Sequence, residues 1–258
     1  MGGFFCEESE ADCATDLLYG TDYHFHLGTV SGGIVVDNEG KPQRKIHSIQ
    51  SEQFRHQFEA WVKDLKGKRG LGSISDHEIQ PLIIKSHLGT YIISHVGKII
   101  NLNELEQKVI RGNGFRGHFS EIHDGETNGV EVLAALINQE KDFVTGIESA
   151  QHHIRGSSSM MILSEDGIYL ARDRLGRTPV VVGKRKNDKK GRADAIAATL
   201  DTSAFQNLGF RPPFHFLGPG EIGRISNGKY EQLKKPGDRM AICSFLWVYY
   251  GYPPSVFQ

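Results

Sequence analysis

Three cysteines are the first candidates for covalent chemistry, because a thiolate is an intrinsically strong nucleophile. They stand at Cys6, Cys13 and Cys243 and form neither a CxxC pair nor a disulfide framework. Cys6 falls in an expected buried strand that begins at Gly2, and about 13 Å of extended chain separates the two residues. We interpret it as a small core residue, with a catalytic Cys6 as the alternative. Cys13 is expected to be a core contact of a helix.

Histidines and serines form no recognisable catalytic or metal-binding pattern. His24 and His26 alternate as on a strand, which would place both side chains on one face. No carboxylate or cysteine accompanies them at ligand spacing, so no zinc site is expected. The serine-rich stretches 73–75 and 157–159 match no nucleophile-elbow pattern.

Residues 86–105 contain the elements expected to position a site, namely a strand, a turn and the start of a helix. Residues 88–94 have the β-branched and aromatic content of a strand. Gly97 predicts a tight turn, since glycine accepts positive φ without steric cost. Asn101 or Asn103 is expected to cap the helix that follows.

The rest of the chain alternates short strands, tight turns and helices, a pattern that suits its 30 glycines. The clearest helix signal is an apolar stripe within 53–65, of the kind that packs in a core. A further strand is expected over 2–6, and strands are expected on both sides of an Asp166–Gly167 turn within 156–183. Further helices are expected over 12–19 (capped by Asp12), 130–138 and 143–154. Loops are expected over 37–44 and 112–127, and a solvated hairpin tip over 184–192.

Composition narrows the class of protein. The 258 residues are 38% hydrophobic, which suits one large domain or two small ones. The formal net charge of -1 gives no electrostatic case for a nucleic-acid partner. No apolar run approaches the roughly 18 residues that a membrane helix needs. The start of the chain has no basic segment typical of a signal peptide. A cytoplasmic location is therefore expected.

Several stretches, in order, resemble the class II glutamine amidotransferases. The segment from His95 to Leu105 resembles the family's H-N-G-x-x-x-N-x-x-E-L, and residues 26–36 resemble its H-R-G-Q-E-S-A-G-I strand. The most specific similarity is that of residues 156–183 to G-A-Y-S-x-x-x-L-x-x-D-G-x-x-A-x-R-D-P-L-G-x-R-P-L. Residues 243–255 resemble a segment of the purine-pathway amidophosphoribosyltransferases that leads into their phosphoribosyltransferase domain. The resemblance covers nearly the full length.

This resemblance implies an α+β fold, the N-terminal-nucleophile (Ntn) hydrolase sandwich, in which two antiparallel sheets lie between two helical layers. It also implies a domain organisation. Residues 1–240 are expected to form a glutamine amidotransferase type 2-like domain, and residues 241–258 the start of a linker towards a phosphoribosyltransferase domain. The chain is therefore expected to be one half of a longer protein, or to have been cut at the domain boundary.

The residues that carry the family's chemistry are replaced in this sequence. In the family, a cysteine thiol attacks glutamine, an arginine binds its carboxylate, an aspartate binds its amine, and an asparagine and a glycine stabilise the oxyanion. The corresponding positions here are Gly2, Ser75, Gly129, Val96 and Gly97, of which only Gly97 is retained. We therefore expect no intact catalytic site and no glutamine hydrolysis.

No cofactor is expected in this chain, and no metal site of its own. The one open alternative is Cys243, which matches the place of a cysteine ligand to the [4Fe-4S] cluster of some amidophosphoribosyltransferases. Such a cluster normally needs four thiolates, and the others would lie outside this chain. We treat Cys243 as structural.

Two functions remain open. The first is an N-terminal glutaminase-like domain of an amidophosphoribosyltransferase-like protein of purine biosynthesis, silent as a glutaminase. The second is a pseudoenzyme module for docking or ligand sensing. The expected partner is a C-terminal phosphoribosyltransferase domain or a separate subunit, and a homo-oligomer is left open. Nucleic acid and membrane are not expected as partners.

Overall fold

The structure is a computed structural model, and it describes residues 2–111, 119–123, 125–187 and 194–256. The expected loop over 112–127 and the expected hairpin tip over 184–192 lie partly outside these residues. The described strands, in chain order, are β1 (Gly2–Ser9), β2 (Ser31–Asn38), β3 (Lys41–Ser48), β4 (Arg69–Ser75), β5 (Leu82–Ser86), β6 (Gly89–Ile99), β7 (Ile122–His123), β8 (Glu126–Thr127), β9 (Gly156–Ser164), β10 (Gly167–Ala171), β11 (Val181–Arg185), β12 (Ala195–Thr199), β13 (Arg211–Phe216), β14 (Ile222–Ser226) and β15 (Lys229–Lys234).

Two large antiparallel sheets form the centre of the domain. Sheet A has seven strands in the order β13-β11-β12-β1-β4-β2-β3. Sheet B has six strands in the order β15-β14-β10-β9-β6-β5. The short strands β7 and β8 pair with each other in a separate ribbon. The strand β1 is central in sheet A, and β6 and β9 pair along eight residues in sheet B.

Helices cover the outer face of each sheet. They are α1 (Ala14–Asp22), α2 (Phe54–Val62), α3 (Leu102–Arg111), α4 (Gly129–Ile137), α5 (Phe143–His153) and α6 (Ser203–Leu208), with a 3-10 turn at Phe25–Leu27 and a π-helical turn at Leu246–Tyr250. One apolar cluster packs α1, α2 and α6 on sheet A, and another packs α3, α4 and α5 on sheet B. A third fills the space between the sheets. The four-layer αββα sandwich expected from the resemblance is thereby confirmed.

Local sequence patterns identified several elements well. The helix α2 buries Phe54, Phe58, Val62 and nearby Leu65, as the apolar stripe predicted. The Asp166–Gly167 turn joins β9 to β10 as expected. None of the helices in the described part of the chain is long and apolar enough to cross a membrane.

The prediction of a turn at Gly97 was wrong. The strand β6 continues to Ile99, and Gly97 pairs with Ser158 of β9. Its φ is +149°, and a Cβ there would lie 2.0 Å from the backbone oxygen of Ser157. Glycine is therefore needed for close approach of two strands, which local sequence could not reveal.

The predicted helix caps are confirmed only in part. Asn101 stands at the start of α3, where its backbone oxygen accepts from Leu105 N at 3.1 Å, but its side chain does not cap the helix. Asn103 lies inside α3, and Asp12 does not cap α1. The side chain of Asn101 bridges the backbone of residues 153–155, donating to His153 O at 3.0 Å and accepting from Arg155 N at 2.8 Å. Asp12 Oδ1 accepts from Gly67 N at 3.0 Å, and α1 starts two residues later. Both polar side chains join distant segments of the chain instead of capping the adjacent helix.

Two surface predictions need correction for similar reasons. The stretch 37–44, expected to be a loop, includes the start of β3, and the turn is confined to Glu39 and Gly40. Arg185, assigned to a solvated tip, is buried at the end of β11. Its guanidinium pairs with Glu7 at 3.2 Å, a partner from a strand distant in sequence.

Candidate functional site

Gly2, Ser75, Val96 and Gly129 are the positions at which the resemblance leads us to expect the family's nucleophile, arginine, asparagine and aspartate. Gly2 lies at one end of the sandwich. It begins β1 and pairs with Ser75, the last residue of β4. The backbone of Gly2 is buried, and a Cβ added there would lie 2.4 Å from the carbonyl oxygen of Ile74. A side chain at this position therefore requires a shift of the backbone of β1 or β4.

Ser75 stands where an arginine would bind a carboxylate, and it organises a tight turn instead. Its Oγ accepts hydrogen bonds from the backbone N–H of His77 (3.2 Å) and of Glu78 (3.0 Å). The same hydroxyl donates to Glu78 Oε2 at 3.1 Å. The turn folds the Glu78 side chain back into the end of the sandwich.

Glu78 and His95 form the electrostatic centre of this region. Glu78 Oε1 lies 3.4 Å from Nε2 of His95, which is only 1% exposed. Burial by itself raises the pKa of the Glu78 carboxyl. The neighbouring His95 and the hydrogen bond from Ser75 outweigh that effect and lower the pKa of Glu78 to about 2. Glu78 is therefore ionised at neutral pH.

Gln80 fixes the backbone on which His95 stands. Its Oε1 accepts from His95 N at 2.9 Å, and its Nε2 donates to His95 O at 3.0 Å. Ser94 Oγ donates to the same Oε1 at 2.8 Å. The loop after β4 is thus bound to β6 through a buried amide.

Val96, at the oxyanion asparagine position, offers no polar group. Its side chain is 2% exposed and packs in the apolar cluster between the sheets. Because alternate residues of a strand point to opposite faces, Val96 points away from the face that carries His95. The site therefore lacks a side-chain oxyanion donor at this position.

Gly129, at the amine-binding position, is the first residue of α4. The preceding Asn128 caps the helix, accepting from Val130 N at 2.9 Å and donating to Ile79 O at 2.7 Å. A Cβ on Gly129 would lie 3.2 Å from Glu78 Oε1. The carboxylate of Glu78 thus occupies the space that a side chain at position 129 would enter.

A cavity of about 300 Å³ opens beside these residues. The ionisable side chains in its lining are those of Asp76, His77, Glu78, Lys98 and Glu126. Among the residues that the structure describes, no arginine lines the cavity as a bidentate partner for a carboxylate. Among the described residues, no three His, Cys, Asp or Glu side chains are grouped for a metal ion.

None of the three cysteine thiols has the properties expected of a nucleophile at this end of the sandwich. Cys6 is fully buried, and burial raises the pKa of its thiol to about 12. Burial likewise raises the pKa of Cys13 well above its usual value. Cys243 is half-buried and contacts the apolar cluster between the sheets. A buried thiol with a raised pKa forms little thiolate at neutral pH.

The two N-terminal histidines do not share a face, contrary to the strand-based prediction. His24 is buried, with Nδ1 3.0 Å from Gly20 O and Nε2 3.0 Å from Thr199 Oγ1. His26 is exposed and contacts Tyr250 O through Nε2 at 2.8 Å. The chain forms a 3-10 turn here, which sends the two rings in different directions.

The structure therefore brings Gly2, Ser75 and Gly129 together at one end of the sandwich, with Gly97 and Val96 on the neighbouring β6. Sequence reasoning missed Glu78, which joins Ser75 to Gly129. The signal for it was the spacing Ser75-x-x-Glu78, in which a serine and a glutamate three residues apart can bond to each other.

Comparisons with known proteins agree with this architecture. The profile of a family described as "Glutamine amidotransferase domain" matches residues 71–198. Curated amidophosphoribosyltransferases are similar over most of the chain. The one from Mus musculus is 28% identical, covering 90% of this chain and 49% of its own length. The one from Methanothermobacter thermautotrophicus is 26% identical, covering 98% and 52%. The chain thus spans about half the length of these relatives.

Solved structures show the same fold. The glutamine phosphoribosylpyrophosphate amidotransferase from B. subtilis, complexed with ADP and GMP, superposes with a TM-score of 0.82 at 21% identity. That alignment covers 99% of this chain and 54% of the other. A glutamine aminotransferase class-II domain protein from Silicibacter pomeroyi superposes with a TM-score of 0.56 at 12% identity, covering 91% and 100%. At these identities the likeness concerns the fold.

Proposed function

Because this chain carries a class II glutamine amidotransferase domain like that of the amidophosphoribosyltransferases, we propose that it is the glutaminase-like domain of such a protein in purine biosynthesis, and that it does not hydrolyse glutamine. The proposal rests on the identity of residue 2, which is a glycine. The nucleophile position has no thiol, and a Cβ would stand 2.4 Å from a backbone oxygen. Covalent attack on an amide needs a nucleophile at this place.

The other replacements remove binding as well as chemistry. Ser75 supplies no positive charge for the substrate carboxylate, and its hydroxyl already donates to Glu78. Val96 supplies no oxyanion donor; loss of one such donor costs about 10²–10³ in rate. The ionised Glu78 would repel a carboxylate brought to this end of the sandwich. Glutamine is therefore not expected to bind in its family orientation.

The domain then serves as a pseudoenzyme, a folded module that docks to a transferase. We assign residues 1–240 to the module and 241–258 to the start of the connection. This last segment exposes large apolar side chains, among them Ile242 (68%), Val248 (72%) and Tyr249 (70%). Its other side is held to the domain, where Leu246 is buried and Ser255 Oγ donates to Asp201 at 2.6 Å. An apolar face of this kind suits a protein partner.

The proposed partner is a C-terminal phosphoribosyltransferase domain or subunit, as in relatives twice as long. Ammonia for the transferase would then come from solution or from another protein. We place the protein in the cytoplasm, because three cysteines without a disulfide framework suit a reducing compartment.

Glutamate release from glutamine by the purified protein tests the proposal, with ammonia followed in parallel. A class II amidotransferase with its cysteine intact serves as the positive control, and heat-denatured protein as the blank. We expect no release above the blank. Turnover that thiol alkylation abolishes would refute the proposal and would assign the chemistry to Cys6 or Cys13.

A further inference from the structure

A serine, a histidine and a glutamate contact one another in a row on the same side of sheet B. Ser158 Oγ lies 3.3 Å from His95 Nδ1, and His95 Nε2 lies 3.4 Å from Glu78 Oε1. The three residues come from three elements, β9, β6 and the loop after β4, and are 17 and 63 positions apart in sequence. Nucleophile, base and orienting acid are recognised by such geometry, and not by sequence order.

The register of the two strands makes this arrangement possible. His95 pairs with Met160, and Ser158 is two residues away on the same face of β9. Gly97 pairs with Ser158 and has no side chain to separate the strands. Gln80 holds the backbone of His95 from the other side.

The groups that face the His95 ring determine the role of each nitrogen. Glu78 is ionised and can only accept, so the nitrogen facing it, Nε2, carries the proton. Nδ1 is then free to accept from the hydroxyl of Ser158. Ser75 Oγ donates to the second oxygen of Glu78 and fixes the carboxylate. The Ser158–His95 distance of 3.3 Å and the His95–Glu78 distance of 3.4 Å are longer than those of ideal hydrogen bonds, as is frequent in catalytic sites without substrate.

Ser158 lines a second cavity, of about 190 Å³, which is separate from the one that Glu78 lines. The charged residues in its lining are Arg155, Arg174, Arg177 and Asp173. Two of the three guanidinium groups already have carboxylate partners, Arg177 with Asp173 and Arg155 with Glu104 at 2.6 Å, which leaves Arg174 to attract an anionic ligand. Asp173 is already engaged, since it pairs with Arg177 at 3.3 Å. An anionic ligand suits this cavity.

We propose that Ser158, His95 and Glu78 form a hydrolytic site for small esters that carry a negative charge. Ser158 is the nucleophile, His95 the general base, and Glu78 the positioning residue of His95. The arginine-lined cavity of about 190 Å³ binds the anionic acyl part of the substrate. Glutamine in its family orientation is not the substrate, because Ser158 lines this cavity and Glu78 and Gly129 line the other one.

The reaction balances with water as the only co-reactant. Ser158 Oγ forms a bond to the ester carbonyl carbon while its proton moves to His95 Nδ1, and Glu78 stabilises the imidazolium. The bond from the carbonyl carbon to the leaving oxygen breaks, and the alcohol departs with that proton. Water then attacks the carbonyl carbon of the acyl-serine and gives a proton to His95 Nδ1. The bond from that carbon to Ser158 Oγ breaks, the acid is released, and Ser158 Oγ takes the proton back from Nδ1.

The test uses two 4-nitrophenyl esters, the acetate and the negatively charged hemisuccinate, with nitrophenol release followed for the wild-type chain and for Ser158→Ala. We expect kcat/KM for the hemisuccinate to exceed that for the acetate, and to fall at least about 100-fold in Ser158→Ala. Ser157→Ala is the matched control, since the neighbouring hydroxyl bonds to Thr178 Oγ1 at 2.6 Å and faces away from His95. It should retain the activity.

Two further measurements separate catalysis from mere packing. A fluorophosphonate should label Ser158 in the wild type and leave Ser158→Ala unlabelled, as peptide mass spectrometry reports. Glu78→Gln should lower kcat more than it changes KM and should shift the pH profile. Equal ester hydrolysis by wild type and Ser158→Ala, or no label at Ser158, would overturn the inference. Neither outcome bears on glutaminase activity, which the glutamate assay decides.

Discussion

The strongest quantitative prediction concerns Glu78, the carboxylate that occupies the end of the sandwich. Its pKa is lowered from the ordinary 4.5 to about 2 in the folded protein. One pKa unit corresponds to about 1.4 kcal/mol. The interactions of the ionised carboxylate therefore contribute about 3 kcal/mol to the free energy of unfolding at pH 7. Glu78→Gln should remove most of this contribution, because a neutral amide lacks the charge that His95 and the hydroxyl of Ser75 stabilise.

The sign of the pH dependence follows from linkage. A carboxyl with a depressed pKa contributes stability that is present above pH 4.5 and is lost as the pH falls towards 2. About 2 of the 3 kcal/mol should be lost between pH 7 and pH 3. The difference in unfolding free energy between wild type and Glu78→Gln should shrink by that amount over this range.

Urea denaturation followed by circular dichroism at pH 7, 5, 4 and 3 measures this difference. Glu126→Gln is the matched control, since Glu126 lines the same cavity but is exposed. Its difference from wild type should stay within about 0.5 kcal/mol. If the Glu78→Gln difference does not change with pH, the neighbours of the carboxylate do not stabilise its charge, and the electrostatic account of the site is wrong.

Three further predictions follow from other parts of the fold. Gly2→Cys should release no measurable glutamate from glutamine, because its Cβ would stand 2.4 Å from Ile74 O and no described arginine lines the cavity to bind the substrate carboxylate; measurable release would show that the thiol alone is missing. Burial lowers the pKa of His24 from 6.5 to about 4, so stability should fall as the pH drops from 6.5 to 4, and thermal unfolding of His24→Gln should lack that loss. Phe58→Ala, which empties a fully buried site, should cost about 3–5 kcal/mol in urea denaturation, and a cost below about 1 kcal/mol would contradict its core position.

The sequence predicted the parts of the fold that depend on local pattern. The helix α2 follows from the spacing of its apolar residues, and the β9–β10 hairpin from the Asp166–Gly167 turn. Both signals concern residues close in sequence, where periodicity and turn chemistry act directly. The layer order needed the family resemblance as well, since strand content alone does not fix which strands pair.

What the sequence could not predict depends on contacts between distant segments. Gly97 has the composition of a turn, yet the pairing of β6 with β9 extends the strand through it. Arg185 belongs to a charged stretch, yet Glu7 and Asp16 from the other end of the chain make it a buried partner. In the same way, no local sequence pattern predicts the contact between Glu78 and His95.

The residues that hold the framework together differ from those expected to stand at the family's catalytic positions. Arg172 is buried, and its guanidinium donates to the carbonyl of Gly176 at 3.1 Å and to that of Leu217. Its neighbour Asp173 accepts from the backbone N–H groups of Leu175 and Arg177. These contacts close the loop after β10 and involve none of Gly2, Ser75, Val96 and Gly129, the residues named at the end of the sandwich. Substitution at that end therefore leaves the framework intact, provided that polar groups there find new partners, as Glu78 does with Ser75 and His95.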